Sequence, residues 1–185
     1  VEFCRHSNTE PPTIVRLYAG RQIKERAEGL EQGVRVWAHE RPGMCVVEGA
    51  KQALLGRWAA EGIAQVQDPT AAGVVERLEL APGQTVLDRC CGVGTKTLQI
   101  RDKVGAGGLV VGMDPSEARI RLLGRVVGQR GFENVRLYQA GWVGELAADA
   151  PRRFDRVLVD APCSNSGVLA RRPEARYHQS RREIE

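Results

Sequence analysis

Residues 85–97 read Thr85-Val86-Leu87-Asp88-Arg89-Cys90-Cys91-Gly92-Val93-Gly94-Thr95-Lys96-Thr97: an apolar strand closed by an acid, a glycine-bearing loop, and the start of a helix running to about Lys103. Gly92 and Gly94 let a ligand approach the backbone. The first turn of the helix offers a carboxylate N–H groups that have no acceptor within the helix. The spacing excludes two other ligand loops. A phosphate-binding P-loop needs glycine immediately before the lysine and again five residues earlier, where Thr95 and Cys90 stand. A dinucleotide fingerprint, G-x-G-x-x-G, needs glycine where Thr97 stands. A glycine pair after a strand also suits a plain tight turn, so the loop takes its meaning from its surroundings.

Working outward, a second apolar strand at Leu109–Met113 ends on Asp114 and is followed by a helix over Ser116–Gln129. Further strands are expected at Val135–Tyr138 and Arg156–Asp160. Upstream, Pro69–Leu80 reads as a helix that starts beside Asp68, carries Val74, Val75 and Leu78, and stops at Pro82-Gly83. Strands apolar on both faces, alternating with helices, predict an α/β fold with a parallel sheet covered on both sides. In such sheets ligands sit off the carboxyl ends of the strands, where Asp88, Asp114 and Asp160 all fall. Asp114 is placed to accept hydrogen bonds from a ribose diol. It is equally placed to cap the next helix with Pro115 at its first position, and two carboxylate oxygens allow both. Directly after the fourth strand comes Asp160-Ala161-Pro162-Cys163-Ser164. A cysteine leaving a strand end toward that crevice is a candidate nucleophile or acid/base group, although a lone cysteine is more often structural.

Residues 1–65 form a different layer, a small α+β subdomain and candidate RNA-binding appendage before a cofactor-binding domain at 66–185. Strands are expected at Ile14–Leu17, Val34–Trp37 and Cys45–Val47, with a helix over Gln22–Leu30 ended by Gly33. His6 and His39 stand alone there, in no catalytic constellation. The 185-residue chain is 42% hydrophobic and 27% charged, enough to bury a core without disulfides or metal. Its five cysteines, Cys4, Cys45, Cys90, Cys91 and Cys163, form no C-x-x-C pair. That argues against a zinc site and a disulfide framework, and for reduced thiols in a cytoplasmic protein. No run reaches the ~18 apolar residues of a membrane span. A net charge of +4, with 23 of 27 basic residues arginine, favours a polyanionic partner, although arginine bias also follows genome composition. Arg171, Arg172, Arg176, Arg181 and Arg182 cluster after Cys163 with Glu174 opposing them.

Taken together, Gln67-Asp68, Asp88-x-Cys90 through Lys96-Thr97, Asp114 and Asp160-Ala161-Pro162-Cys163-Ser164 resemble the RNA 5-methylcytosine methyltransferases of the Fmu/Sun type. The likeness is nearest to the branch acting on bacterial 16S ribosomal RNA. Asn8-x-Glu10-Pro11-Pro12, Phe154-Asp155-Arg156 and Arg171-Arg172-Pro173-Glu174 extend the resemblance over nearly the whole chain. It implies a Rossmann-like class I fold using S-adenosyl-L-methionine, with RNA, in particular ribosomal RNA, as partner and no metal. By the same resemblance Cys90, Cys91, Gly92, Val93, Gly94, Thr95 and Lys96 wrap the methionine part and Asp114 holds the ribose. Asp160 stands between cofactor and cytosine. The family's chemistry needs a thiolate to add at C6, because C5 of cytosine is too weak a nucleophile to take a methyl group unaided. In this RNA family that thiol belongs to a later Thr-Cys motif, and the Pro-Cys cysteine, here Cys163, assists product release.

The later motif does not occur in these 185 residues. The expectation is therefore a fold truncated after its fourth strand and inactive alone. Two departures touch the cofactor site. The loop reads Cys91-Gly92-Val93-Gly94-Thr95-Lys96 where the family has Ala-Ala-Pro-Gly-Gly-Lys, and Gly141 stands where a third-strand aspartate is expected. They motivate an alternative, a non-catalytic RNA-binding relative with a decayed cofactor site. A third reading makes Cys163 the sole nucleophile, as in the DNA enzymes.

Overall fold

The computed structural model describes residues 11–21, 33–141, 146 and 149–162. The expected helix Gln22–Leu30, Cys163 and the arginine cluster from Arg171 to Arg182 lie outside these residues. The chain builds two four-stranded sheets. The first holds β1 (Thr13–Leu17), β2 (Arg35–Ala38), β3 (Met44–Glu48) and, after helix α1 (Gln52–Ala60), β4 (Ala64–Val66). All its pairs are antiparallel, in the order β2-β3-β1-β4. Alternation along β1 divides its side chains between two faces. Val15 packs with Val36, Cys45 and Val47 against Leu54, Leu55 and Trp58 of α1. On the opposite face Ile14 and Met44 meet Ala72, which belongs to helix α2 (Pro69–Glu76).

The second sheet is β5 (Thr85–Asp88), β6 (Leu109–Asp114), β7 (Val135–Gln139) and β8 (Arg156–Leu158), with α3 (Thr95–Val104) and α4 (Glu117–Gln129) between the first three strands. All pairs are parallel, in the order β7-β6-β5-β8. The chain thus starts at β5, builds outward to β7, and returns to the other side of β5. That reversal makes a switch point beside β5, where the carboxyl ends of the strands open a crevice. Successive residues of the central strands serve opposite faces. Val86 and Val110 pack with Leu98, Ile100, Val104, Leu123 and Val127 of α3 and α4. Leu87 and Val111 pack with Ala150, Tyr138 and Phe154 on the other side.

Several expectations need correction. Helix α2 stops at Glu76, not Leu80: Arg77 caps it, and the chain turns through Glu79 at φ 49°. Helix α1 and strand β4 were not expected. Strand β8 ends at Leu158, two residues before Asp160, and Val157 and Val159 are 49% and 62% exposed. Among the described residues, the sheet is therefore not covered on both faces along this strand. Ser116, not Asp114, caps α4, accepting from the Arg119 N–H.

Candidate functional site

The loop after β5 is pinned from both sides. The Arg89 N–H donates to the Leu158 carbonyl at 2.9 Å and the Cys91 N–H to the Met113 carbonyl at 2.8 Å, extending the ladders to β8 and β6. Gly94 then starts α3 at φ 94°, a conformation that costs an L side chain about 1–2 kcal/mol. It also leaves no room, since a Cβ there would lie 2.1 Å from Leu123 Cδ1. Leu123 itself is fully buried, so the loop rests on the core.

A cavity of about 160 Å³ opens at the switch point, lined by Asp88, Cys90, Cys91, Gly92, Val93, Thr95, Lys96 and Asp160. All eight are named from the sequence, seven of them as cofactor-site residues and Asp88 as a strand-end acid. Lys96 Nζ meets Asp160 Oδ2 at 2.5 Å, linking the loop to the end of β8. Gly94 is buried under Leu123, not on the wall. Asp114 is not on the wall either. Its Oδ2 accepts from the Gly92 N–H at 3.0 Å and its Oδ1 from the Ser116 N–H at 2.9 Å, with Arg119 at 3.6 Å. The ordering of loop and β6–α4 turn therefore converges on this one buried carboxylate. Gly141 follows β7 and is exposed. His39, a lone histidine in the sequence, accepts from the Arg41 N–H in a turn.

Asp88 lines the cavity although the family resemblance assigns it no contact with the cofactor. It is 1% exposed. Its Oδ2 accepts from Thr97 Oγ1 at 2.7 Å, while Oδ1 is buried without a partner among the described residues. Burial is the main cause that pushes its pKa from 3.8 up to about 6, with Asp160 adding to the rise; Thr97, the Cys90 amide and Lys96 oppose it. The signal was in the sequence: Asp88 ends its strand as Asp114 ends the next. The loop thiols are held protonated. Burial, then the neighbouring Asp88 and Asp114, push Cys91 up to about 12. Burial and Asp88 raise Cys90 as well. Neither is a nucleophile at neutral pH, since the thiolate is the reactive form. Among the described residues no group of three or more His, Cys, Asp or Glu side chains could hold a metal, and no helix is long and apolar enough to cross a membrane.

The sequence profile of 16S rRNA methyltransferase RsmB/F matches residues 75–185. The chain belongs to this family. Ribosomal RNA small subunit methyltransferase B of Pseudomonas syringae pv. tomato is 33% identical over 187 residues, which cover 93% of this chain and 39% of the relative. The Bacillus subtilis protein, a probable ribosomal RNA small subunit methyltransferase B, is 29% identical, covering 95% and 40%. The chain thus spans about two-fifths of the length of these RsmB-type relatives. Among solved structures, that of PH0851 superposes with a TM-score of 0.83 at 26% identity, covering 99% of this chain and 42% of that one. A methyltransferase homologue from Pyrococcus horikoshii, 19% identical with a TM-score of 0.68, covers 98% and 58% and shares the fold. The architecture is that of the Rossmann-like class I methyltransferases.

Proposed function

We propose that this RsmB/F-family chain carries the S-adenosylmethionine site of an enzyme that methylates C5 of cytosine in small-subunit ribosomal RNA. The observation that carries the reading is the unpartnered, buried Oδ1 of Asp88 beside a cavity walled by the 90–96 loop at the switch point. A buried acceptor left unmade costs about 1–3 kcal/mol, and a cationic ammonium is the partner it suits. The α-amino group of the cofactor's methionine part is such a cation. Its carboxylate would lie against the N–H groups that open α3. When bound, S-adenosylmethionine supplies an electrophilic methyl group; the chain's own residues supply the surroundings. Asp114, buried behind the wall, keeps the loop closed through the Gly92 amide and so sets the shape of the side that faces the ribose. Lys96 holds Asp160 at the end of β8, from where its half-exposed carboxylate hydrogen-bonds the target base. Cys163 assists product release, and the thiol that adds to C6 comes from a later Thr-Cys motif. The 185 residues then bind the cofactor without completing the transfer. Residues 1–65 serve as an RNA-binding appendage, consistent with a separate antiparallel sheet ending at Val66.

Calorimetric titration of the purified chain with S-adenosylmethionine tests this. Micromolar binding that Asp114→Ala abolishes is expected, with no methyl transfer to unmodified RNA. Transfer by these 185 residues alone would refute the assignment of the nucleophile.

One observation favours a second reading, a non-catalytic RNA-binding relative. The cavity of about 160 Å³ is smaller than the roughly 300–1,000 Å³ of ligand-sized pockets, and the Lys96–Asp160 pair lies along its wall. A folded chain that binds RNA but gives no heat with S-adenosylmethionine would establish that reading over the first.

A further inference from the structure

A second and larger cavity, about 350 Å³, lies between the turn after β1, the end of α1 and the C-terminal ends of α3 and α4; its lining includes Tyr18, Arg21, Glu61, Arg101, Arg130 and Phe132. It sits at the far end of α3 and α4, about 9 Å along the α3 axis from Lys96 at 1.5 Å per residue. No step assigned to the chain above uses it. Its volume falls within the range of roughly 300–1,000 Å³ typical of ligand sites.

The cleft is built from arginines on aromatic rings. The Arg130 guanidinium stacks over Tyr18 at 3.8 Å and over Phe132 at 4.6 Å, and Arg101 stacks over the Phe132 ring at 3.8 Å. Gly62 packs against Arg130, whose Nη2 would lie 3.0 Å from a Cβ at that position. Stacking fixes these cations in place, and Arg130 also hydrogen-bonds Tyr18. The hydrogen bonding is incomplete. Arg130 Nη1 is buried and has no acceptor among the described residues. Arg101 uses only its Nε, in a long 3.4 Å bond to Asn134. Among the described lining residues the acids do not neutralise the three arginines: Asp102 is taken by Arg16 at 3.0 Å, which leaves Glu61 as the opposing charge there. Arginines also suit the carbonyl ends of helices, and Arg101 and Arg130 close α3 and α4. That role accounts for their charge but leaves the buried Nη1 unsatisfied and the cleft open.

We propose that this cleft is a second contact for the RNA, seating a backbone phosphate against Arg21, Arg101 and Arg130 at the end of the molecule away from the cofactor loop. A rigid guanidinium with paired N–H donors matches phosphate oxygens better than any neutral ligand. The inference rests on the reading of the chain as an RNA methyltransferase domain and adds to it a surface that holds substrate outside the reaction centre.

The test is fluorescence anisotropy with a short single-stranded RNA, titrated from about 50 to 200 mM salt. It compares the unaltered chain, Arg21→Ala, Arg101→Ala, and Arg125→Ala as an equal charge loss on an exposed part of α4. Each phosphate contact removed should lower the salt slope by about 0.7, which at 0.1 M salt is about fivefold in affinity. Arg21 is exposed and stacks on no ring among the described residues, so Arg21→Ala reports even where Arg101→Ala perturbs Phe132. The S-adenosylmethionine titration run on the same preparations should be unchanged. Slopes for Arg21→Ala and Arg101→Ala equal to that for Arg125→Ala would overturn the proposal, as would a chain that binds S-adenosylmethionine but no RNA. Arginine-dependent RNA binding without cofactor heat would support the cleft while refuting the assignment of the cofactor site to these 185 residues.

Discussion

Asp88→Asn isolates what the buried acid costs the fold. Burial without a full set of partners raises its pKa from 3.8 to about 6, which is about 3 kcal/mol at roughly 1.4 kcal/mol per unit. The sign follows from proton linkage. The folded chain holds this proton more tightly than the unfolded chain, so the group destabilises the fold progressively as pH rises from about 4 to about 6, and fully above that. Asparagine keeps the shape and an acceptor for Thr97 but carries no charge. At pH 7.5 the variant should be more stable by up to about 3 kcal/mol, or about 6–12 °C in Tm for a chain of this size. Near pH 4 the advantage should vanish. Urea melts of both proteins across this range measure the difference directly, and other carboxylates cancel in the comparison. A difference that stays constant with pH, or a variant less stable at pH 7.5, would refute the argument.

Two further outcomes follow from the same site. If the cofactor's ammonium meets Asp88, binding at pH 6 should release about half a proton and binding at pH 7 almost none, with uptake by the amine itself above that; calorimetry in buffers of different ionisation enthalpy reads this, and pH-independent uptake or release would remove Asp88 from the contact. Gly94→Ala should destabilise by about 2–4 kcal/mol, combining the backbone conformation with the overlap on Leu123; Leu123→Val should restore part of it, and a loss below about 0.5 kcal/mol in urea melts would mean the loop adapts without cost.

What the sequence disclosed tracks how local each cause is. Strands β5 and β6 were legible because apolar residues run consecutively between turn signals, as a strand buried on both faces demands; β7 was legible from Val135, Leu137 and Tyr138 around the charged Arg136. The start of α4 was legible to within a residue, although the capping oxygen proved to be Ser116 Oγ. Helix α1 was not legible. Its buried stripe is only Leu54, Leu55 and Trp58, and Gly56 interrupts it. Strand β4 has three residues, too few to show alternation. The helical period of α2 runs on through Leu78, which is packed on the core from a turn. Of the candidate site, the loop and Asp160 were found because they are contiguous motifs. Asp114 was found as a residue but not in its observed bonds, which depend on where the Gly92 amide lands after folding. The arginine cleft was invisible in the sequence, since Tyr18, Arg101 and Phe132 come together only when the two sheets dock.

That docking runs through a line of buried polar groups. Arg16 Nε donates to Gln67 Oε1 at 2.7 Å, Gln67 Nε2 to Gln99 Oε1 at 2.6 Å, and Gln99 Nε2 to the Ala72 carbonyl at 3.0 Å. Strand β1 is thereby tied to helix α3 by bonds that water cannot readily replace while the sheets stay in contact. Parting the sheets would break the Gln67–Gln99 bond and the Arg16–Asp102 ion pair, leaving buried polar groups on both sides without partners. The first sheet and α3 should therefore open together: amides of β1 and β5 should exchange with solvent in the same global opening, and heat should melt both sheets in one peak.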